Sequence, residues 1–537
     1  MGSDADSGVG VRPPSKQLPN LEVQDNIHEE DTIEYPTGLR FVVVLLAMCV
    51  SLILVGLDMN MIATAMPTIT SHFQTIADVG WYYSAYRLTS CSLQFLFGKL
   101  YHLFSIKFVF LASIVIFEVG SLIAGVAPTS ALLVLGRAVS GVGCAGIISG
   151  IFTMVVQSFP LHRRPFFTGI AAAVEGVSET VAPILGGALT DSVSWRWCFY
   201  INLPLGGLSF ILIMAFFQDP QKNHRVNLPW REKLRQLDLL GTSIFVPSIT
   251  CLLLALQWGG ATYGWGNVRI IILFVLTGIL LAAFAWQERR KGDNALLPGR
   301  IMRRRSLLAG MWFSFCNSST LSVLGYYIPT YLQVVRGASA TMSGILCLPI
   351  VVGQSLAILT GSSAVSILGY YAPFMILTAI LTPIAAGLLT TLQVKQSLAS
   401  LLCYQALLGV GGGIGFQGPQ IAAQTVLPVK DSPMGIAMVI FAQNFGPAMF
   451  VSITQTIFTG ELVKRLGTLL PDVNVSSLST MGLSDLSKSV PSIDISRVVQ
   501  GYDEALTTAF FLPVGLACAS MVGALGMEWK SVKRKGA

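Results

Sequence analysis

Fourteen long apolar segments occupy most of this chain, and they restrict its fold more than any other feature. A helix needs about 20 apolar residues to cross the roughly 30 Å hydrocarbon core of a bilayer, and each segment is long enough. Hydrophobic residues make up 53% of the 537 residues and charged residues only 11%, which excludes a water-soluble globular protein. The sequence therefore predicts an all-α, polytopic membrane protein with 14 transmembrane helices. The predicted spans are 41–66, 79–98, 106–127, 132–157, 166–190, 197–217, 238–258, 268–287, 307–331, 343–361, 371–392, 399–423, 434–458 and 506–527.

Basic residues lie mainly on one side of the predicted membrane. With both termini in the cytoplasm, 21 Lys and Arg residues fall in the inner loops and the C-terminal tail, and eight fall on the outer side. This bias follows the positive-inside rule and favours cytoplasmic termini. Because the excess lies in these loops, the net charge of +7 does not indicate a nucleic-acid partner. We expect the protein in the plasma membrane, with the vacuolar membrane as the alternative.

Polar segments divide the spans into a 6 + 2 + 6 arrangement. Two six-helix bundles that rock about a site at the membrane midplane are a recurrent transporter design. The outer loop predicted at 459–505 contains an N-glycosylation sequon at Asn474. The predicted units are a disordered cytoplasmic tail (1–40), an N-terminal six-helix bundle (41–217), basic linkers with two extra helices (218–306), a C-terminal six-helix bundle (307–527) and a cytoplasmic tail (528–537).

Charged residues deep inside the predicted spans are confined to the first six spans. A charge at this depth costs about 2.5–3.5 kcal/mol or more unless it is paired or hydrated. We therefore expect this half to handle protons, and we expect opposite charges at one depth to pair, as Asp58 with Arg87 or Glu118 with Arg137. The six residues are Asp58, Arg87, Glu118, Arg137, Glu175 and Glu179.

Glu175 and Glu179 are four residues apart, which places them on one helix face near the midplane. Two neighbouring carboxylates raise each other's proton affinity, so the pair is suited to loading and releasing a proton. The same residues are equally suited to receiving a cationic group of a substrate or to hydrogen-bonding one helix to another. We predict Glu175 as a proton carrier and Glu179 as a substrate contact, with the structural role as the alternative.

The C-terminal spans carry no charge in their interiors but contain several amides and phenols. Such groups among apolar neighbours suit a large, amphipathic and mostly uncharged ligand, although some of them will serve only to bond helices together. The candidate substrate-binding residues are Asn317, Tyr326, Tyr327, Gln354, Gln417, Gln424, Gln443 and Asn444.

Several segments together carry a family resemblance. They are Leu57–Pro67 (LDMNMIATAMP), Gly136–Gly143 (GRAVSGVG), Ala182–Gly187 (APILGG), Ser194–Pro204 (SWRWCFYINLP) and Gly411–Gln424 (GGGIGFQGPQIAAQ). In this order they resemble the fourteen-span drug:proton antiporters of the major facilitator superfamily, most closely the fungal branch that includes efflux pumps for self-made toxins. The resemblance implies the major facilitator fold and an intramembrane arginine, here Arg137, that takes part in proton transfer. A guanidinium is not deprotonated in a protein, so Arg137 would bias nearby carboxylates or serve as a static ion-pair anchor.

Two further segments resemble gating and structural motifs of that superfamily. The loop Gly98–Lys107 (GKLYHLFSIK) resembles its cytoplasmic gating loop, G-x-L-x-D-x-x-G-x-K/R, in which Gly98 and Lys107 match. His102 replaces the aspartate and Ser105 the second glycine, and Lys99 is a further candidate gating residue of this loop. His102 is a candidate pH sensor or a solvated interfacial histidine. The helix bend at Pro183 should form, with Gly186 and Gly187 behind it, although Ala182 stands where the family has glycine. Arg87 is also predicted to have a gating or structural role.

These features predict a proton-coupled exporter that works by alternating access. Asp58, Arg137 and either Glu118 or Glu175 would couple the proton, and the cargo would be a small hydrophobic secondary metabolite, toxin or drug. An importer, such as an iron–siderophore carrier, is the alternative within transport, and a transporter-like nutrient sensor is the alternative from another class. We expect no enzyme activity, no cofactor besides the proton gradient, no metal, since the five histidines lack metal-ligand spacing, and a monomer in the lipid bilayer.

Overall fold

The structure is a computed structural model of the full chain, and it describes residues 38–74, 78–219, 229, 231, 233, 236–260, 263–394, 396–469 and 495–533. These residues form α-helices, one short 3₁₀ helix and connecting turns, and they contain no named β-strand. The tail at 1–37 and the sequon at Asn474 lie outside the described residues.

Eight helices form the N-terminal group within the described range 38–219. Helix α1 is long because its apolar run continues unbroken through the predicted first span, and α6 tolerates Pro183 in its interior. The bounds are α1 Gly38–Phe73, α2 Val79–Ser92, α3 Gln94–Leu103, α4 Ile106–Val126, α5 Ser130–Ser158, α6 Arg164–Ser192, α7 Trp197–Tyr200 and α8 Asn202–Phe216.

Twelve more helices follow among the described residues, and α12 to α20 form the C-terminal group. The pair α9 and α10 pack against each other, and α9 also contacts α2 of the N-terminal group and α18 of the C-terminal group. The bounds are α9 Leu239–Trp258, α10 Val268–Lys291, α11 Gly299–Met302, α12 Arg305–Val334, α13 Ala340–Leu346, α14 Leu348–Leu368, α15 Ala372–Thr390, α16 Leu398–Ile414, α17 Gly418–Val426, α18 Ser432–Leu469, α19 Ile495–Ala509 and α20 Phe511–Gly526.

Twelve of the described helical segments are long and apolar enough to cross a membrane. Two of the fourteen predicted spans do not meet that criterion. The span predicted at 79–98 is two shorter helices, α2 and α3, separated at Leu93. The span predicted at 166–190 is the 29-residue helix α6, whose Glu175 and Glu179 lower its hydropathy. The all-helical membrane architecture is therefore confirmed, whereas the number of membrane-spanning helices is not.

The glycine-rich segment near Gly411 interrupts the span predicted at 399–423. Helix α16 ends at Ile414 and α17 begins at Gly418. At the break the Gly415 backbone N–H donates to Thr378 Oγ1 at 2.8 Å, which replaces the hydrogen bond lost from the helix. Helix α18 continues to Leu469, so the first part of the predicted outer loop is helical.

The most extensive contacts between the two groups are those of α6 with α14 and of α3 with α18. Small residues allow both contacts. A Cβ built on Gly169 would lie 2.5 Å from Ser362 Cβ, and one built on Gly98 would lie 2.7 Å from Ala437 Cβ. Backbones can approach this closely only where side chains are small, so Gly169 and Gly98 permit the close contact between the two groups.

Candidate functional site

The centre of the N-terminal group contains a buried ion pair between α1 and α5. Arg137 Nη1 lies 2.6 Å from Asp58 Oδ2, and both side chains are 0% exposed. Arg137 Nε also donates to the Tyr82 carbonyl oxygen at 3.1 Å, and the guanidinium lies 4.3 Å from the Tyr86 ring centroid. Burial of two isolated charges would cost far more than their attraction returns, and these additional contacts offset that cost.

Asn202, at the start of α8, completes this cluster. Its Nδ2 donates to Asp58 Oδ1 at 2.7 Å and to Ser121 Oγ of α4 at 3.1 Å. The two oxygens of Asp58 therefore have different partners, a guanidinium and an amide. Sequence analysis assigned no role to Asn202 or Ser121. Asn202 lies within the SWRWCFYINLP segment, so its position in a motif was the available signal.

Both pairings expected from depth are wrong. Asp58 pairs with Arg137 and not with Arg87, and Glu118 has no ion-pair partner among the described residues. The Glu118 carboxylate lies instead against Gly206 of α8, where a Cβ would come within 1.7 Å of Oε1. The depths predicted for these groups are similar. The direction in which each side chain points around its helix axis decides which of them meet.

Arg87 of α2 lies near the two glutamates of α6. Its Nε donates to Tyr83 Oη at 3.1 Å, and its charge interacts electrostatically with Glu175 and Glu179. Glu179 is exposed and Glu175 is half-buried, although both lie midway along a helix that packs between the two groups. The predicted proximity of the two glutamates is confirmed, since they interact with each other.

The predicted polar residues of the C-terminal group differ in accessibility. Tyr326 is 57% exposed and interacts electrostatically with Tyr83 across the interface between the groups. Tyr327 is 1% exposed and donates to Gln455 Oε1 at 2.8 Å. Of these two phenols only Tyr326 is therefore available to a ligand.

The remaining amides are partly or fully buried. Asn317 Nδ2 donates to the Gly412 carbonyl oxygen at 3.2 Å, and Gln420 Nε2 donates to Gln443 Oε1 at 2.8 Å. Gln417 and Gln424 are buried and retain amide atoms that have no partner among the described residues. Gln354, Gln443 and Asn444 are half-buried. None of these contacts tests the predicted role in substrate binding.

An apolar cavity of about 780 Å³ lies between α1, α6 and α14. Its lining is almost entirely aliphatic. Ile170, Val174, Val177 and Val181 recur at helical spacing, so they form a side of α6 other than the one with the glutamates. The cavity therefore offers hydrophobic surface beside, and separate from, the charged residues.

At the predicted cytoplasmic end, the gating-loop residues contact several other segments. Lys99 Nζ donates to the carbonyl oxygens of Gln236 at 2.8 Å and Asn294 at 2.6 Å. His102 Nδ1 lies 2.5 Å from the Lys430 carbonyl oxygen in the C-terminal group. Lys107 Nζ donates to the Met214 carbonyl oxygen at 2.7 Å. His102 thus takes part in a contact between the groups.

Charged residues around the linker 291–300 join both groups at this end. Arg300 binds Asp431 of the C-terminal group through two hydrogen bonds, at 2.5 and 3.1 Å. Lys291 binds Asp238 at 2.5 Å. Burial opposes ionisation of Asp238, but the hydrogen bonds from Lys291 and the Gly241 N–H and the charge of Lys99 lower its pKa. Asp238 therefore stays ionised at neutral pH, and the linker is held to α3 and α18 together.

Loss of the Arg300–Asp431 pair should loosen this end. In Arg300→Ala the Asp431 side chain, 2% exposed, loses its partner, and we expect roughly tenfold faster modification of a buried reporter cysteine nearby. The reporter is Met434→Cys in a variant without the nine native cysteines, labelled with an impermeant maleimide. Arg290→Ala, which removes an arginine stacked on Trp286, is the matched control. Equal labelling of both variants would contradict this assignment.

Helix α6 carries the predicted structural motif. Pro183 lies inside the helix, and Gly186 faces α1 so closely that a Cβ would lie 2.6 Å from the Met61 carbonyl oxygen. A Cβ built on Gly187 would have no described atom within 4 Å, apart from its adjacent residues and the backbone of α6. The two glycines therefore differ, since only Gly186 is required for contact between helices.

Comparison with known proteins agrees with this architecture. Residues 48–451 match the model of the Major Facilitator Superfamily. The solved structure of the proton:xylose symporter XylE is similar with a TM-score of 0.57, at 13% identity, over 92% of this chain and 98% of XylE. The human organic anion transporter MFSD10 is similar with a TM-score of 0.56, at 12% identity, over 90% and 100%. These two likenesses concern the fold alone.

Similar sequences extend over nearly the whole chain. The "MFS-type efflux pump MFS1" of Trichophyton rubrum is 43% identical over 96% of both chains, and "Efflux pump roqT" of Penicillium rubens is 41% identical over 96% of both. The "Aspyridones efflux protein" of Neocamarosporium betae is 41% identical over 94% of this chain and 90% of its own. Given this similarity and the helical bundle around the Asp58–Arg137 pair, the chain belongs to the Major Facilitator Superfamily.

Proposed function

We propose that this protein exports a small hydrophobic or amphipathic molecule, and that inward-moving protons drive the export by binding Asp58, whose proton affinity Arg137 biases. The observation that carries the proposal is the fully buried Asp58–Arg137 pair inside a bundle of apolar helices. Intramembrane ion pairs are costly and typically mark proton or substrate pathways. Relatives named as efflux pumps support the outward direction.

The membrane topology we propose has fourteen spans. Twelve of these spans are the helices that meet the length and hydropathy criterion. The other two are α6 and the pair α2 and α3 taken together, which pack among the twelve. Both termini lie in the cytoplasm of this proposed arrangement, in the plasma membrane, and the protein acts as a monomer. Closure of the predicted cytoplasmic end by Arg300, Lys99 and His102 suits one state of an alternating-access cycle.

The proposed cargo site lies between the two groups. Tyr326, Tyr83, Arg87 and Glu179 are accessible there, and the aliphatic cavity lies on another side of α6. A ligand with an apolar body and a few polar groups matches such a lining. Secondary metabolites and toxins belong to this class, as the aspyridones named for one relative illustrate.

The coupling test uses purified protein in liposomes with an imposed pH difference. Aspyridones and a panel of lipophilic dyes serve as probes, and Asp58→Asn and Glu175→Gln are compared with wild type. We expect Asp58→Asn to abolish gradient-driven accumulation while exchange without a gradient continues, since the neutral amide carries no proton. If both variants transport like wild type, proton coupling through these residues is wrong.

The direction is tested in cells. Overexpression should protect a host from a probe that is transported in liposomes, and deletion should sensitise it. The reverse pattern would indicate the importer.

A further inference from the structure

The Asn202 side chain has an unused atom at the centre of the coupling cluster. Its Nδ2 donates to Asp58 and Ser121, but its Oδ1 is buried and has no hydrogen-bond partner among the described residues. Asn202 is itself 0% exposed. A buried acceptor without a partner costs free energy, so its retention at this position calls for a physical reason.

A change in the protonation of Asp58 supplies that reason. The ionised carboxylate accepts hydrogen bonds from both Arg137 and Asn202, as in this structure. Once Asp58 Oδ1 carries a proton, its O–H would face the Nδ2 donor of Asn202, and two donors repel each other. Rotation of the amide by half a turn removes the conflict, because Oδ1 then accepts from the Asp58 O–H.

Ser121 fits both orientations of the amide. Its hydroxyl accepts from Asn202 Nδ2 in the observed arrangement at 3.1 Å. A hydroxyl both donates and accepts, so after rotation it can donate to Asn202 Oδ1 instead. In each orientation, the amide atom that faces Asp58 and Ser121 therefore has hydrogen-bond partners suited to one protonation state of Asp58.

We infer that Asn202 is a positioning residue that reports the protonation state of Asp58 to α8 through rotation of its amide. The inference deepens the proposed function and rests on it. Gly206, one turn further along α8, lies against Glu118, so the same helix contacts both carboxylates of the cluster.

Other charged and titratable groups surround Asp58 and must be included when its titration is interpreted. Tyr86 and Cys198 each interact electrostatically with Asp58, and so does Glu118. On the α6 side, the backbone at Glu175 and Glu179 packs against Gly56, two residues from Asp58. The groups are Arg137 on α5, Tyr86 and Arg87 on α2, Glu118 on α4, Glu175 and Glu179 on α6, and Cys198 on α7.

Infrared titration of the purified full chain in nanodiscs tests the inference. The carboxyl carbonyl band that disappears in Asp58→Asn reports Asp58, and protein labelled with ¹³C-asparagine reports the amide. We expect an asparagine band to change at the same pH midpoint as the Asp58 band and to be absent in Asn202→Leu. In Asn202→Leu the proton affinity of Asp58 should rise by up to about tenfold, because the charge-assisted bond to its ionised form is lost.

Ser121→Ala is the milder variant in case Asn202→Leu fails to fold, and it should shift the same midpoint by less. If the Asp58 band titrates with no accompanying asparagine change, the inference is wrong while proton coupling stands. If Asp58 does not change protonation during gradient-driven transport in liposomes, the proposed function fails as well. A purely structural Asn202 would lower stability when replaced and would show no asparagine band change at the Asp58 midpoint in the wild-type protein.

Discussion

Arg137→Met is expected to destabilise the protein by about 3–5 kcal/mol, one of the largest losses from any single substitution. Arg137 and Asp58 are both inaccessible to solvent, so removal of the guanidinium leaves a buried carboxylate whose one remaining partner among the described residues is the Asn202 amide. The loss should appear as a lower unfolding temperature of the purified protein in detergent at neutral pH. Gradient-driven transport should also be absent.

The double variant Asp58→Asn/Arg137→Met separates the two effects. Replacement of both members of a buried ion pair by neutral groups is often neutral for stability, so we expect the unfolding temperature to recover most of the loss. Transport driven by a pH difference should remain absent, because neither residue can carry or bias a proton. A single Arg137→Met variant as stable as wild type would show that the pair is not buried as described.

Gly186→Val should be nearly as damaging for a steric reason. The first added carbon would lie 2.5 Å from Thr64 Oγ1 and 2.6 Å from the Met61 carbonyl oxygen, and the second of these is backbone that cannot rotate away. Overpacking of this kind costs about 1–3 kcal/mol or more. We expect a reduced yield of folded protein and a lower unfolding temperature, measured by size-exclusion chromatography and thermal unfolding.

Gly187→Val is the matched control for this substitution. Apart from its adjacent residues and the backbone of α6, no described atom lies within 4 Å of a Cβ placed on Gly187. Gly186 and Gly187 are adjacent in the same helix, so both substitutions change helix propensity equally. The control should behave like wild type to within about 0.5 kcal/mol. Equal damage from both valines would mean that helix propensity, and not contact with α1, determines the outcome.

Much of the architecture follows from the order of residues along the chain. Long apolar runs can satisfy their backbone in a bilayer only as helices, so the all-helical membrane fold was predictable from composition and segment length. The family resemblance depended on short motifs such as GRAVSGVG, and the match over residues 48–451 confirms it. Interruptions at Leu93 and Gly415 were missed, because hydropathy averages over a span and does not resolve a break within it.

The site was predictable only in part. The sequence indicated Asp58, Arg137 and Glu118 as candidates, and the structure brings them together, but the sequence indicated the wrong pairs. It gave no role to Asn202, whose amide is chemically ordinary until Asp58 lies 2.7 Å away. It likewise gave none to Arg300 and Asp431, which are 131 positions apart in the chain.

The sequence by itself determined that this chain is a bundle of membrane helices, because long apolar segments satisfy their backbone in a bilayer as helices. It also determined that ionisable groups lie in the first half, because the position of a charge within an apolar segment can be read from the segment alone. Only the tertiary structure decided that Asp58 meets Arg137 and Asn202. Contact between side chains depends on how each helix is rotated about its axis, and close packing at residues such as Gly186 and Gly206 sets that rotation.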